Sequence, residues 1–78
     1  MTVANIPDWQ LAPAGWDWCA QDENGDWYWY SVKPEPSLGG GVWRSNSRHQ
    51  QFACSGSPNP NWIHSLQTRP LASGPRDG

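Results

Sequence analysis

A small, mainly β domain is the fold that this sequence predicts: a three- to four-stranded antiparallel sheet with one short C-terminal helical turn. Three observations carry that expectation. First, the segment Trp16 to Tyr30, WDWCAQDENGDWYWY, holds four of the seven tryptophans and both tyrosines, with Asn24-Gly25 in its middle. Asn-Gly between apolar runs is the strongest short-range hairpin signal, because a type I′ turn needs positive φ at both central residues. Second, eight prolines and eight glycines in 78 residues favour loops and short strands over helices. Third, a chain this short needs large side chains to close a core. Each buried aromatic removes roughly 150–250 Å² from water, so seven tryptophans can do it.

Taken in order, Pro7-Asp8-Trp9 and Leu11-Ala12-Pro13 read as an extended arm over residues 1–13, since proline biases its neighbour away from helix. Trp9 and Leu11 are expected to pack that arm onto the hairpin. The domain proper is expected over 14–67. With Asn24 and Gly25 as a two-residue turn, Ala20 faces Trp29 and Asp22 faces Trp27. Strand alternation then puts Trp16, Trp18, Ala20, Trp27 and Trp29 on one face, the expected core. Cys19, Gln21, Tyr28 and Tyr30 fall on the other. Glu23 beside Asp26 is the strained point of this register. A longer loop over Asp22 to Asp26 spreads those charges, and a slip of one residue inverts both faces.

Lys33-Pro34-Glu35-Pro36 is expected to stop strand pairing, because proline gives no N–H to a ladder. Leu38 to Gly41, with three glycines, reads as a loop. Val42 to Ser45 and Gln51 to Cys54 read as short strands joined by a turn over Asn46 to His49. Asn59 as N-cap with Pro60 behind it opens the helical turn. Trp62, Ile63 and Leu66 share its inner face. Residues 68–78 read as a flexible tail.

Charge is asymmetric. Met1 to Val32 holds five acids and no base, and Lys33 to Gly78 holds five bases and two acids, so the halves carry −5 and +3. Either they attract each other within the fold or they form two patches for partners of opposite sign, and neither makes the clustered basic face of a duplex-DNA binder. The N-terminus lacks the charged and apolar regions of a secretory signal. No run approaches the ~20 apolar residues of a membrane span. A soluble cytosolic protein with Cys19 and Cys54 reduced is the expectation, with a Cys19–Cys54 bridge the alternative if lysis exports the chain.

The ligand-type residues do not assemble into catalytic or metal motifs. Cys19, His49, Cys54 and His64 lack the paired spacing of a zinc site. Asp22 to Asp26 resembles the start of a calcium loop, but Lys33 stands where the closing acid belongs. No nucleophile motif or carboxylate pair is visible. The expectation is a non-enzyme with no cofactor and no metal. The acids read as a solvated turn. Binding falls to Tyr28, Tyr30, Trp43, Arg44 and Arg48, since tyrosine, tryptophan and arginine dominate binding hot spots.

Leu11 to Trp16, Tyr28 to Tyr30 and Trp43 resemble a WW domain, but the Trp16–Trp43 interval is too long and no proline follows Trp43 closely. A fuller pattern runs through Pro7-Asp-Trp9, Ala12-Pro13, Asp22-x-Asn-Gly25, Trp27-x-Trp29, Lys33-Pro34, Gly41-x-Trp43 and Trp62-x-x-Ser-Leu66-x-x-Arg69-Pro70. It resembles the small tryptophan-rich proteins of tailed phages and prophages, most without an assigned activity. The resemblance implies expression in a bacterial host's cytoplasm. It also implies action by binding a host protein or defence system, to modulate or inhibit it. A homo-oligomer is a further option. The alternative is a small-molecule binder, in which the aromatics stack on a base or sugar and Arg44 or Arg48 takes a phosphate.

Overall fold

The computed structural model describes residues 6–46 and 48–70. It is mainly strands: β1 (Trp18–Gln21), β2 (Asp26–Tyr30), β3 (Glu35–Ser37), β4 (Val42–Arg44), β5 (Gln50–Ser55) and β6 (Gln67–Thr68). Two 3-10 turns, Trp9–Leu11 and Trp62–His64, complete the elements. The main sheet is antiparallel in the order β5-β2-β1-β6, and β3 and β4 form a separate two-stranded sheet.

The β1–β2 hairpin forms where Asn24-Gly25 places it, but the loop has three residues, not two. Gln21 pairs with Trp27, Ala20 with Tyr28, Cys19 with Trp29 and Trp18 with Tyr30. Asp22 N–H donates to the Asp26 carbonyl and Gly25 N–H to the Asp22 carbonyl. Gly25 adopts φ +104°. A tight turn followed by a left-handed glycine is the usual three-residue loop. The longer loop therefore wins over the type I′ turn. Asn24 serves it through its side chain, which accepts from Asp26 N–H at 2.9 Å.

This one-residue difference corrects the expected faces. Trp27, Trp29, Cys19 and Gln21 share one side of the sheet, and Trp18, Ala20, Asp22, Tyr28 and Tyr30 the other. Nor is either side open, because each carries its own core. On one, Ala20, Tyr30, Trp43 and Trp62 are buried together, with Trp18, Tyr28 and Leu66 packed against them. On the other, Cys19, Trp27 and Trp29 are buried under Trp9, Ala12, Trp16, Ala53 and Cys54. The β3–β4 sheet and the second 3-10 turn cover the tyrosine side. The arm covers the tryptophan side, with the Trp9 ring 5.0 Å from that of Trp29.

Other expectations are corrected by pairing. Glu35–Ser37 is a strand in spite of its proline, because it pairs on only one side, with β4. An edge strand tolerates a missing N–H. β4 and β5 are consequently not partners in a hairpin, and β5 pairs with β2 instead. Leu11 is 74% exposed, so Trp9 alone of the two anchors the arm. The helical segment is one 3-10 turn with Asn61 at its N-cap; Asn59 sits two residues earlier and accepts from Asn61 N–H. Ile63 points outward. Thr68, placed in the tail by sequence, pairs with Trp18 in β6. The lead-in Met1 to Asn5 and the tail from Leu71 lie outside the described residues.

Two polar hubs hold the layers in place. Gln21, 6% exposed, donates through Nε2 to the carbonyls of Gly25 and Ser57 and accepts from Asn59 Nδ2. Its backbone carbonyl accepts from Trp43 Nε1 and Ser65 Oγ, and its N–H donates to Ser65 Oγ. One buried residue thus ties β1 to β4, to the loop before the second 3-10 turn and to the turn itself. Arg69 is the second hub. Its guanidinium donates to the carbonyls of Trp9, Pro13 and Trp16 and pairs with Asp17 at 2.9 Å. It also lies 5.4 Å from the Trp9 ring centroid, a cation–π distance.

Candidate functional site

The site grows out of the hairpin register. A three-residue loop leaves Asp22 at the end of β1, on the same side as Tyr28. β4 then crosses close by, because Trp43 must bury its indole beside Tyr30 and Trp62. Trp43 N–H donates to Asp22 Oδ1 at 2.9 Å, and its ring meets Trp62 edge-on at 6.0 Å. Asp22 is held at 7% exposure. Burial pushes its carboxyl above the ordinary range, Trp43 N–H opposes that rise, and nearby Asp26 adds to it.

An open depression of about 450 Å³ lies over this carboxylate, lined by Asp22, Tyr28, Val42, Trp43, Arg44 and Gln50 among others. Tyr28, half-buried on β2, meets Phe52 of β5 edge-to-face at 5.7 Å. Phe52 is 51% exposed and Val42 37%. A bulge in β5 aligns Tyr28 with Phe52: Trp27 faces Cys54, Tyr28 faces Phe52, and Ala53 is left over. Arg44 is exposed at the end of β4. It also lines a neighbouring depression of about 350 Å³ with Lys33 and Glu35.

Of the five residues expected to bind, three meet here: Tyr28, Trp43 and Arg44. Tyr30 is fully buried, so its ring cannot stack on a ligand. Its hydroxyl has no hydrogen-bond partner among the described residues and is driven to a high pKa by burial, then by the charge of Asp22 and by Tyr28. Trp43, 5% exposed, acts as wall more than platform. Arg48 is exposed in the loop between β4 and β5 and does not line the depression. Sequence reasoning missed Asp22, Val42, Gln50 and Phe52. The longer loop is the signal for Asp22, since it places the carboxylate on the tyrosine side and not in a solvated turn.

Cys19 is buried, and desolvation, with Cys54 nearby, pushes its thiol up to about 12. Cys54 is raised by burial too, and both thiols are free. Among the described residues no three His, Cys, Asp or Glu side chains converge as a metal cage, and no helix is long and apolar enough to cross a membrane. No protein-family model, no curated protein and no solved structure matches this chain.

Proposed function

We propose that this protein is a non-catalytic binding module that docks on another protein through the surface formed by Tyr28, Phe52, Val42 and Arg44. The observation that carries the reading is Phe52. A half-exposed phenylalanine on a sheet, met edge-on by Tyr28, which itself lines a depression with Val42 and Arg44, is costly to leave in water. Exposed apolar patches rimmed by polar residues mark interaction surfaces, and Tyr and Arg are hot-spot residues. The resemblance to tailed-phage proteins adds the context: a host bacterial protein as partner, met in the host cytoplasm and inhibited by the contact.

The test compares wild type with Phe52→Ser/Val42→Ser as baits in host lysate, with a photo-crosslinking residue at position 50, which pairs with Tyr30 and lines the depression beside Tyr28. Both substituted side chains are substantially exposed, so the fold should survive. A host protein crosslinked by wild type and lost with the double variant supports the reading. Recovery of nothing above background, across growth and infection conditions, or equal recovery by both baits, overturns it.

A further inference from the structure

We propose that the depression over Asp22 is a binding site for a guanine nucleotide. The inference goes beyond the protein-docking reading and does not depend on it. It starts from the floor. Asp22 is a nearly buried carboxylate whose Oδ1 accepts from Trp43 N–H at 2.9 Å. A carboxylate offers about four acceptor sites across its two oxygens. Asp22 lines the depression, whose volume lies in the range of small-molecule sites. A buried acceptor of this kind is best met by a ligand with paired donors.

Among the common bases, guanine presents two adjacent donors, N1–H and the N2 amino group. Adenine and cytosine place an acceptor beside their amino group, which a carboxylate repels. Uracil and thymine flank their single N–H with carbonyls. A carboxylate therefore selects guanine by chemistry alone. The walls fit the rest of the molecule. Tyr28 supplies an aromatic ring, and bases stack on aromatic side chains irrespective of sequence. Arg44 lines the same depression, has no acceptor among the described residues, and is the fork-shaped donor suited to a phosphate.

Heteronuclear NMR titration of the full chain with GMP, guanosine, AMP, CMP and UMP decides the matter. GMP should move the Trp43 and Tyr28 amide signals and bind at least about tenfold more tightly than AMP, the scale of one charge-assisted pair. Asp22→Asn keeps an oxygen for Trp43 N–H but turns one acceptor into a donor; it should abolish the preference. Arg44→Gln should weaken GMP about tenfold and leave guanosine unchanged. Should Asp22→Asn fail to fold, Arg44→Gln alone decides, because its side chain is exposed. The titration uses the purified chain alone, so its outcome is read independently of any protein partner. Absence of shifts at millimolar GMP, equal binding of all four nucleotides, or shifts confined to other residues would overturn the proposal.

Discussion

Arg69→Ala should remove a clasp on which the whole tryptophan-side core depends. In the native protein the guanidinium donates at 2.9 Å to the Trp16 carbonyl, at 3.2 Å to Pro13 and at 3.4 Å to Trp9. A hydrogen bond from a charged donor contributes about 1.5–3 kcal/mol. Only the Trp16 contact has ideal length, and the side chain is 33% exposed, so the three together are set at about 1.5–2.5 kcal/mol. The cation–π contact adds about 0.5–1 kcal/mol. Asp17 is 60% exposed, which limits the ion pair to under about 1 kcal/mol. Arg69→Ala should therefore cost roughly 2–4 kcal/mol, against a total of about 4–12 kcal/mol for a domain of this length. Asp17→Asn should cost under about 1 kcal/mol. Arg69→Lys should recover less than half of the loss, since one ammonium cannot reach carbonyls on both sides. Urea unfolding followed by tryptophan fluorescence measures all three. The reasoning fails if Arg69→Ala stays within about 0.5 kcal/mol of wild type. It fails equally if Asp17→Asn is as damaging as Arg69→Ala, because the ion pair would then be the clasp.

Gly25→Ala should unfold most of the population, because a Cβ there would stand 2.7 Å from the Ser57 carbonyl group at φ +104°; an expected cost of about 3–5 kcal/mol would show as loss of the thermal transition. Gly15→Ala is the control: φ is +82° but nothing lies within 4 Å, so only the left-handed penalty of about 1–2 kcal/mol should appear. The raised carboxyl of Asp22 means the fold binds its proton more tightly than the unfolded chain. Its contribution is therefore fully present below the ordinary value of 3.8 and is lost as pH rises through the raised one. Asp22→Asn should thus match or exceed wild-type stability at neutral pH, with any advantage shrinking toward pH 3; denaturation at several pH values checks the sign. A thiol reagent at mildly alkaline pH should label Cys54 slowly and Cys19 only after unfolding, giving one reactive thiol in the native protein and two in denaturant.

Much of the fold is legible in the sequence, and the failures have physical causes. The hairpin is announced by Asn24-Gly25, and β4 and β5 by their short apolar runs. The register is not, because DWYWY carries an aromatic at every position from Trp27 to Tyr30. Period-two reasoning needs contrast between faces, and a sheet buried on both sides supplies none. β3 hides behind Pro36, which an edge strand accepts. β6 has only two residues and is held by pairing across the sheet, a cause that no local propensity records. The candidate site was half legible for the same reason. Tyr28 and Arg44 stand out by residue type, whereas Asp22 becomes a site residue only through the loop length that decides its face.

The closing of the sheet by β6 also dictates when this chain can fold. Arg69 reaches the Trp9 carbonyl across 60 positions of sequence, and Ser65 caps Gln21 across 44. Contacts that far apart make folding slow, because loop closure is paid before the contacts reward it. A ribosome must therefore release nearly the last described residue before the arm can seat and the second core can dry. Until then Trp9, Trp16, Trp27 and Trp29 face water together on an unfinished sheet. The vulnerable moment for this protein is its synthesis, when crowding with other nascent chains competes directly with a clasp that has yet to be made.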